Sequence, residues 1–204
     1  MRLNCASLTV AASLVLLVTG SAFAAAELGG SNASLKGKFR ITIEKSCADV
    51  PDGFSVSGPP DFPFWQAMGI GNTRQLYFTG VQTYDGNGHV TTTERGTLIF
   101  PGPYIQGSGT VTAFEETGSW TYTVKRDGSF TQEGASFTAT DGSYRYTGAK
   151  VVGQISADGS VLILSEAIPP VVETLTFLDS NGNPAGGSKR LCGATGTAVR
   201  IRPE

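Results

Sequence analysis

Few side chains in this chain are of a type that does chemistry, and their spacing excludes most of what they could do. His89 is the single histidine, so a His-built metal cluster is excluded and a catalytic dyad would rest on that residue alone. It follows a hairpin turn, where a solvated polar side chain is ordinary. Asp179-Ser180-Asn181-Gly182-Asn183 opens like a calcium loop, but Pro184 replaces the required glycine and Arg190 stands where the bidentate glutamate belongs. Asp85-Gly86-Asn87-Gly88 fails in the same way, with Gly96 at the glutamate position. Both read as polar turns, and no metal site is expected. Glu115 and Glu116 are adjacent and, on a strand, point to opposite faces, so they are not a ready-made acid/base pair. Glu94 lies among Thr and Gly residues. Facing inward, it would be a buried carboxylate with a raised pKa and the one candidate acid or base. Gly69-Ile70-Gly71 lacks the third glycine of a dinucleotide motif, and neither G-x-S-x-G nor a P-loop occurs. No cofactor is therefore expected.

Aromatic residues offer a different chemistry, the enclosure of an apolar guest. Residues 47–72 hold Pro51, Pro59, Pro60 and Pro63 together with Phe54, Phe62, Phe64 and Trp65, and show no sustained period. A loop this long is uncommon unless it covers or binds something. Phe62, Phe64 and Trp65 are candidate ligand contacts at a mouth, with Trp120 and Tyr122 as interior lining. The alternative is that these rings plug one end as core.

Such residues must be held by strands. From Gly118 to Phe130, Trp120, Tyr122 and Val124 alternate with Ser119, Thr121, Thr123 and Lys125, one buried and one wet face. Asp127-Gly128 then turns the chain back. Similar turns recur at Asp85-Gly86, Asp141-Gly142, Asp158-Gly159 and Asn181-Gly182. Between them, extended segments are expected at 35–46, 73–84, 89–100, 110–116, 119–126, 129–140, 143–156, 160–166, 171–178 and 191–202. In the first, Leu35, Phe39, Ile41 and Ile43 share one face. Phe130 and Phe137 differ in parity, which predicts a bulge near Glu133-Gly134. About eight to ten strands joined by tight turns make an all-β, antiparallel up-and-down barrel, with a two-sheet sandwich as the alternative.

Residues 1–24 read as a secretory signal peptide: Arg2, an apolar run from Leu8 to Val18, then Ala22-Phe23-Ala24. A short tail, 25–34, and a single domain, 35–204, follow. Export, to periplasm or medium, makes a Cys47–Cys192 disulfide the first expectation. If those residues end the first strand and begin the last, pairing of the two strands closes the barrel. The parity is not clean, because Cys192 falls opposite Val199 and Ile201, and a bulge at Gly193 or Gly196 would reconcile it. Losing Arg2 leaves one basic residue fewer than the 15 of the full chain against 17 acidic ones, with neither sign clustered. That disfavours nucleic acid and anionic membrane surfaces as partners. An integral membrane protein is not expected either.

The succession L-K-G-K-F, T-Y-D-G-N-G-H at 83–89, G-S-W-T-Y-T-V-K-R-D-G-S at 118–129 and a Gly/Arg-rich final strand resembles a group of exported bacterial proteins described as calycin-like or allene-oxide-cyclase-like β-barrels. Gly37-Lys38-Phe39 also looks like the lipocalin G-x-W with Phe for Trp, and Arg200 or Arg202 matches the arginine that packs over that ring. The tryptophan and a C-terminal helix are lacking. The resemblance implies a barrel whose interior holds a small apolar ligand, and it implies no catalytic residue. The leading expectation is thus a non-enzymatic binder of a small apolar or amphipathic molecule. A cofactor-independent barrel cyclase or isomerase using Glu94, and an adhesion or structural module with a solid interior, are the alternatives.

Overall fold

The computed structural model describes residues 31–60, 63–100 and 110–202. The expected signal peptide, Phe62 and residues 101–109 lie outside the described residues. A short 3-10 turn, Asn32–Leu35, leads into β1 (Gly37–Val50), and the chain continues through β2 (Phe54–Ser57), β3 (Phe64–Ala67), β4 (Asn72–Tyr84), β5 (His89–Phe100) and β6 (Thr110–Val124). Then come β7 (Ser129–Ala139), β8 (Tyr144–Thr147), β9 (Val151–Ile155), β10 (Val161–Glu166), β11 (Glu173–Leu178) and β12 (Pro184–Arg200). All but β2 and β3 join one antiparallel sheet that closes through β1 against β12. β8 and β9 both pair with β7, at its two ends, and act as one interrupted strand. β10 and β11 do the same against β12. The result is a closed barrel of 8 strand positions.

The seam is regular. Phe39 pairs with Arg200, Cys47 lies directly opposite Cys192, and no register shift interrupts the ladder. The two cysteines form a disulfide across a sequence separation of 145. The bulge expected at Gly193 or Gly196 is therefore absent, and the parity is resolved otherwise: the inward face of β12 carries Cys192, Ala194, Gly196 and Ala198, while Val199 faces out at 52 % exposure. Small residues are needed there, because a Cβ on Gly196 would sit 2.7 Å from Ile43 Cγ1. The bulge expected near Glu133-Gly134 is present. Ser119 pairs with Ser136 but Thr121 with Glu133, so Gly134 and Ala135 together oppose Trp120, with Gly134 at φ +69.

Other expectations need correcting. Segments 110–116 and 119–126 are one strand, β6: Gly118 is not a turn but the place where the Phe137 ring crosses the backbone, 2.5 Å from any Cβ added there. The 143–156 segment breaks at Gly148, whose φ of +94 interrupts the extended backbone. The 47–72 segment is partly regular, since β1 runs on to Val50 and β2 and β3 form a separate two-stranded ribbon. β12 begins at Pro184, earlier than position 191.

Reading one parity along each strand shows how the interior is divided. On β1 it runs Phe39, Ile41, Ile43, Lys45, Cys47, Asp49, and on β6, in the opposite direction, Val124, Tyr122, Trp120, Gly118, Glu116, Phe114. One end is thus packed and the other charged. At the packed end, Tyr84 lies edge-on between Phe39 and Tyr122, with centroids 5.4 and 5.1 Å away. The Tyr122 hydroxyl donates to the Asn32 carbonyl at 3.0 Å, and the Asn32 side-chain oxygen accepts from the Val124 amide. Arg200 lays its guanidinium 4.5 Å over Phe39 and donates to the carbonyls of Ser34, Lys36 and Gly159. The arginine-over-ring contact expected from G-K-F is present. Together these residues seal that end of the barrel.

Candidate functional site

The other end holds a cavity of about 710 Å³. Leu76 and Phe78 of β4, Leu98 and Phe100 of β5, Phe114 of β6, and Leu175 and Phe177 of β11 give it apolar walls. Its rim carries the exposed residues Thr112, Thr140 and Asp141. Its floor is polar: Lys45 of β1, Glu116 of β6, Tyr144 and Tyr146 of β8, and Arg190 of β12. A concave, mainly apolar space of this size with a few convergent polar groups is the usual form of a small-molecule site.

The floor is organised by Glu173, which is fully buried. Its carboxylate accepts from Lys45 Nζ at 2.5 Å through one oxygen and from Arg190 Nε through the other. Burial alone would raise its pKa, but Lys45 and Arg190 outweigh burial and hold the carboxyl below its ordinary value. Arg190 in turn stacks 4.2 Å from the Tyr146 centroid, and Lys45 lies 5.7 Å from the same ring. Tyr146 stacks on Phe137 at 4.6 Å, so the polar floor rests on the packed aromatic layer below it. Nearer the mouth, Arg74 meets Asp49 at 2.6 Å and lies 4.8 Å from the Phe100 centroid and 5.9 Å from that of Phe177.

Glu94 faces inward and is 3 % exposed. Its cross-strand partner is Glu116, and the sharing of one level by two carboxyl groups is the central electrostatic fact of β5 and β6. Burial and then the Glu116 charge push Glu94 up to about 8, against the hydrogen bond from Thr92 Oγ1 at 2.9 Å. Burial raises Glu116 as well, opposed by hydroxyl donors Tyr144 at 2.8 Å and Tyr146 at 3.2 Å and by the Arg190 and Lys45 charges. Two carboxyls held this close share protons rather than ionise together. Below them a chamber of about 30 Å³, bordered by Lys45, Glu94, Trp120, Gln132 and Glu166, separates the floor from the packed end. Glu166 is buried, and burial pushes it up to about 7, with Glu173 adding and Lys45 opposing. Neither its carboxyl oxygens nor Trp120 Nε1 has a hydrogen-bond partner among the described residues.

The candidate contacts named from sequence are dispersed. Trp120 borders the small chamber beneath the floor. Tyr122 belongs to the sealed end, and Phe64, 70 % exposed, and Trp65, edge-on to Phe54 at 6.5 Å, belong to the β2–β3 ribbon. The ribbon joins β1 to β4 at the cavity end, but neither Phe64 nor Trp65 lines the cavity. His89 is exposed. Asp85 and Asp179 spend their carboxylates on backbone amides of their own turns. Among the described residues no group of three or more His, Cys, Asp or Glu side chains is placed to hold a metal, and no helix is long and apolar enough to cross a membrane. Lys45, Asp49, Arg74, Glu116, Tyr144, Tyr146, Glu166, Glu173 and Arg190 were not singled out by sequence as residues of the floor, of the wall above it or of the chamber beneath it. Parity could have found several: Lys45 follows Phe39, Ile41 and Ile43, and Glu116 shares the face of Trp120 and Tyr122.

Because Glu94 and Glu166 hold protons in the fold at pH values where the unfolded chain has lost them, the native state binds more protons and stability falls as pH rises from about 4.5 toward about 8. Chemical denaturation across that window should show a downward slope on the order of 1 kcal/mol per pH unit, and Glu94→Gln should flatten it. A wild-type stability that climbs over the same window would show that these carboxyls are not held protonated. No protein-family model matches this chain, and no curated protein does.

Proposed function

We propose that this protein is an exported barrel that carries a small amphipathic molecule in its open-ended cavity, with no chemical change to the guest. The observation that supports the reading best is the cavity's division into apolar walls, from Leu76 to Phe177, and a polar floor at Glu116, Tyr144 and Arg190. Walls of this kind remove apolar surface from water, at about 25 cal/mol per Å² buried, while the floor fixes which end of the guest goes in first. Export fits the Cys47–Cys192 bond, which is ordinary outside the reducing cytosol. The likeness to calycin-like barrels fits the closed fold and the Arg200–Phe39 contact. A solid interior, which an adhesion module would need, does not fit a space of about 710 Å³.

Fluorescence titration with the apolar dye N-phenylnaphthylamine tests this reading. Saturable enhancement is expected, and Ala139→Phe, which puts a ring into the cavity wall, should weaken it by about tenfold or more with the thermal transition nearly unmoved. Dye enhancement that ignores Ala139→Phe would place binding elsewhere and end the reading.

The Glu94–Glu116 pair favours a second reading, a cofactor-independent isomerase in which Glu116 moves a proton on a bound carbonyl compound and Glu94 shares it. It predicts protein-dependent deuterium exchange into the α-carbon of an alkyl ketone, followed by NMR and lost in Glu116→Gln. An exchange rate equal to the buffer's would leave the carrier reading alone.

A further inference from the structure

The charges around the cavity limit what kind of head group the floor accepts. Among the described residues, the cations at the floor and inner wall are Lys45, Arg74 and Arg190, and each already meets a carboxylate: Lys45 and Arg190 meet Glu173, and Arg74 meets Asp49. Three further buried carboxyl groups, Glu116 at the floor and Glu94 and Glu166 bordering the small chamber beneath it, form no salt bridge among the described residues. Five acids thus face three bases. Lys45 and Arg190 share the one carboxylate of Glu173, so with Glu94, Glu116 and Glu166 all protonated one positive charge is left over. Glu116, which accepts from Tyr144 and Tyr146 beside Arg190, is the acid placed to balance it. With Glu116 ionised the floor is neutral, and no cation is left over for an anion. A guest carboxylate would enter as a sixth acid, directly in front of Glu116, and a buried unpaired charge is strongly disfavoured.

An ammonium head meets the opposite obstacle. Of the acids that line the cavity, Glu115 and Asp141 are exposed and Glu116 is the buried one at the floor. Its flanking tyrosine, Tyr146, has Arg190 over its ring at 4.2 Å and Lys45 at 5.7 Å, so a cation at Glu116 would approach two resident ones. Neutral hydrogen-bonding groups escape both penalties. Glu116 can accept from a guest O–H or N–H, and the phenol of Tyr144, which already turns its hydroxyl to Glu116 at 2.8 Å, offers a second oxygen beside it.

We propose that the guest of this cavity has a neutral hydrogen-bonding head, an alcohol, phenol or amide on an apolar body, and that carboxylates and ammonium ions are rejected at the floor. The assignment rests on the cavity being a ligand site, as proposed above, and adds which chemical class it selects.

Displacement of N-phenylnaphthylamine by decanol, decanoate and decylamine at about pH 7.5 tests it, because the three share one apolar chain and differ only in head-group charge. Decanol is expected to displace the dye at a concentration about tenfold or more below either charged ligand. Decanoate or decylamine matching or exceeding decanol would overturn the proposal. In Glu116→Gln, which keeps an acceptor oxygen and removes one acid, the disadvantage of decanoate should narrow by about fivefold while decanol changes less. An unchanged decanoate-to-decanol ratio in that variant would overturn the assignment of selectivity to the floor. Absence of dye binding to the wild type would remove the ligand-site reading itself and this inference with it, whereas dye binding with decanoate preferred removes the inference alone.

Discussion

The interior of this barrel depends on one buried carboxylate held between two cations. Glu173 has no exposure, and Lys45 from β1 and Arg190 from β12 reach it from two adjacent strand positions while it stands on β11. Taking such charges out of water costs several kcal/mol per ion, so the triad persists only where its geometry satisfies each member. That requirement fixes the level of the floor. Below it, Phe137, Trp120, Phe39 and Tyr84 pack to the sealed end, and above it the walls stand apart. A middle layer of apolar side chains would have allowed the aromatic core to continue upward and fill the space.

Closure of the barrel is what lets three strands present these groups to one another. The β1–β12 ladder runs without a shift from Phe39–Arg200 to Val50–Lys189, and the Cys47–Cys192 bond lies within it two positions from Lys45 and from Arg190. Ala194, Gly196 and Ala198 keep the seam thin where Ile43 needs room. On the chain-entropy account a bond closing a loop this long disfavours the unfolded chain by about 5 kcal/mol. The covalent link, the ladder and the ion triad therefore reinforce the same edge. The split positions, β10 with β11 and then β8 with β9, follow next to β12, and there the sheet tolerates Gly148 and the Ile168-Pro169-Pro170 segment.

Much of the framework was legible because a half-buried strand has only one repeat. Trp120, Tyr122 and Val124 point inward as their alternation requires, β5 has its expected bounds, and the parity change between Phe130 and Phe137 marks a real bulge. Errors arose where glycine had two possible causes. The gap expected between 116 and 119 is a close ring contact at Gly118 within one strand, while Gly148, expected inside a strand, is a break. The floor was harder to read for a different reason. Lys45, Glu94, Glu116, Glu173 and Arg190 are of the types expected on a wet face, and only continuing each strand's inward parity past its last apolar residue exposes them. For Glu94 the inward orientation could be named as a condition but not decided; its partnership with Glu116 depends on the β5–β6 register.

The central claim is that an ion-paired floor in a closed barrel orients an amphipathic guest head-down. Crystallography with a bromo-alkanol, its bromine on the carbon farthest from the hydroxyl, tests this directly. The account predicts an anomalous bromine peak among Phe100, Phe114 and Phe177 near the mouth, with the hydroxyl in hydrogen-bonding reach of Glu116 or Tyr144. A bromine peak at the floor beside Arg190, or density confined to the outer face of the sheet, would contradict it.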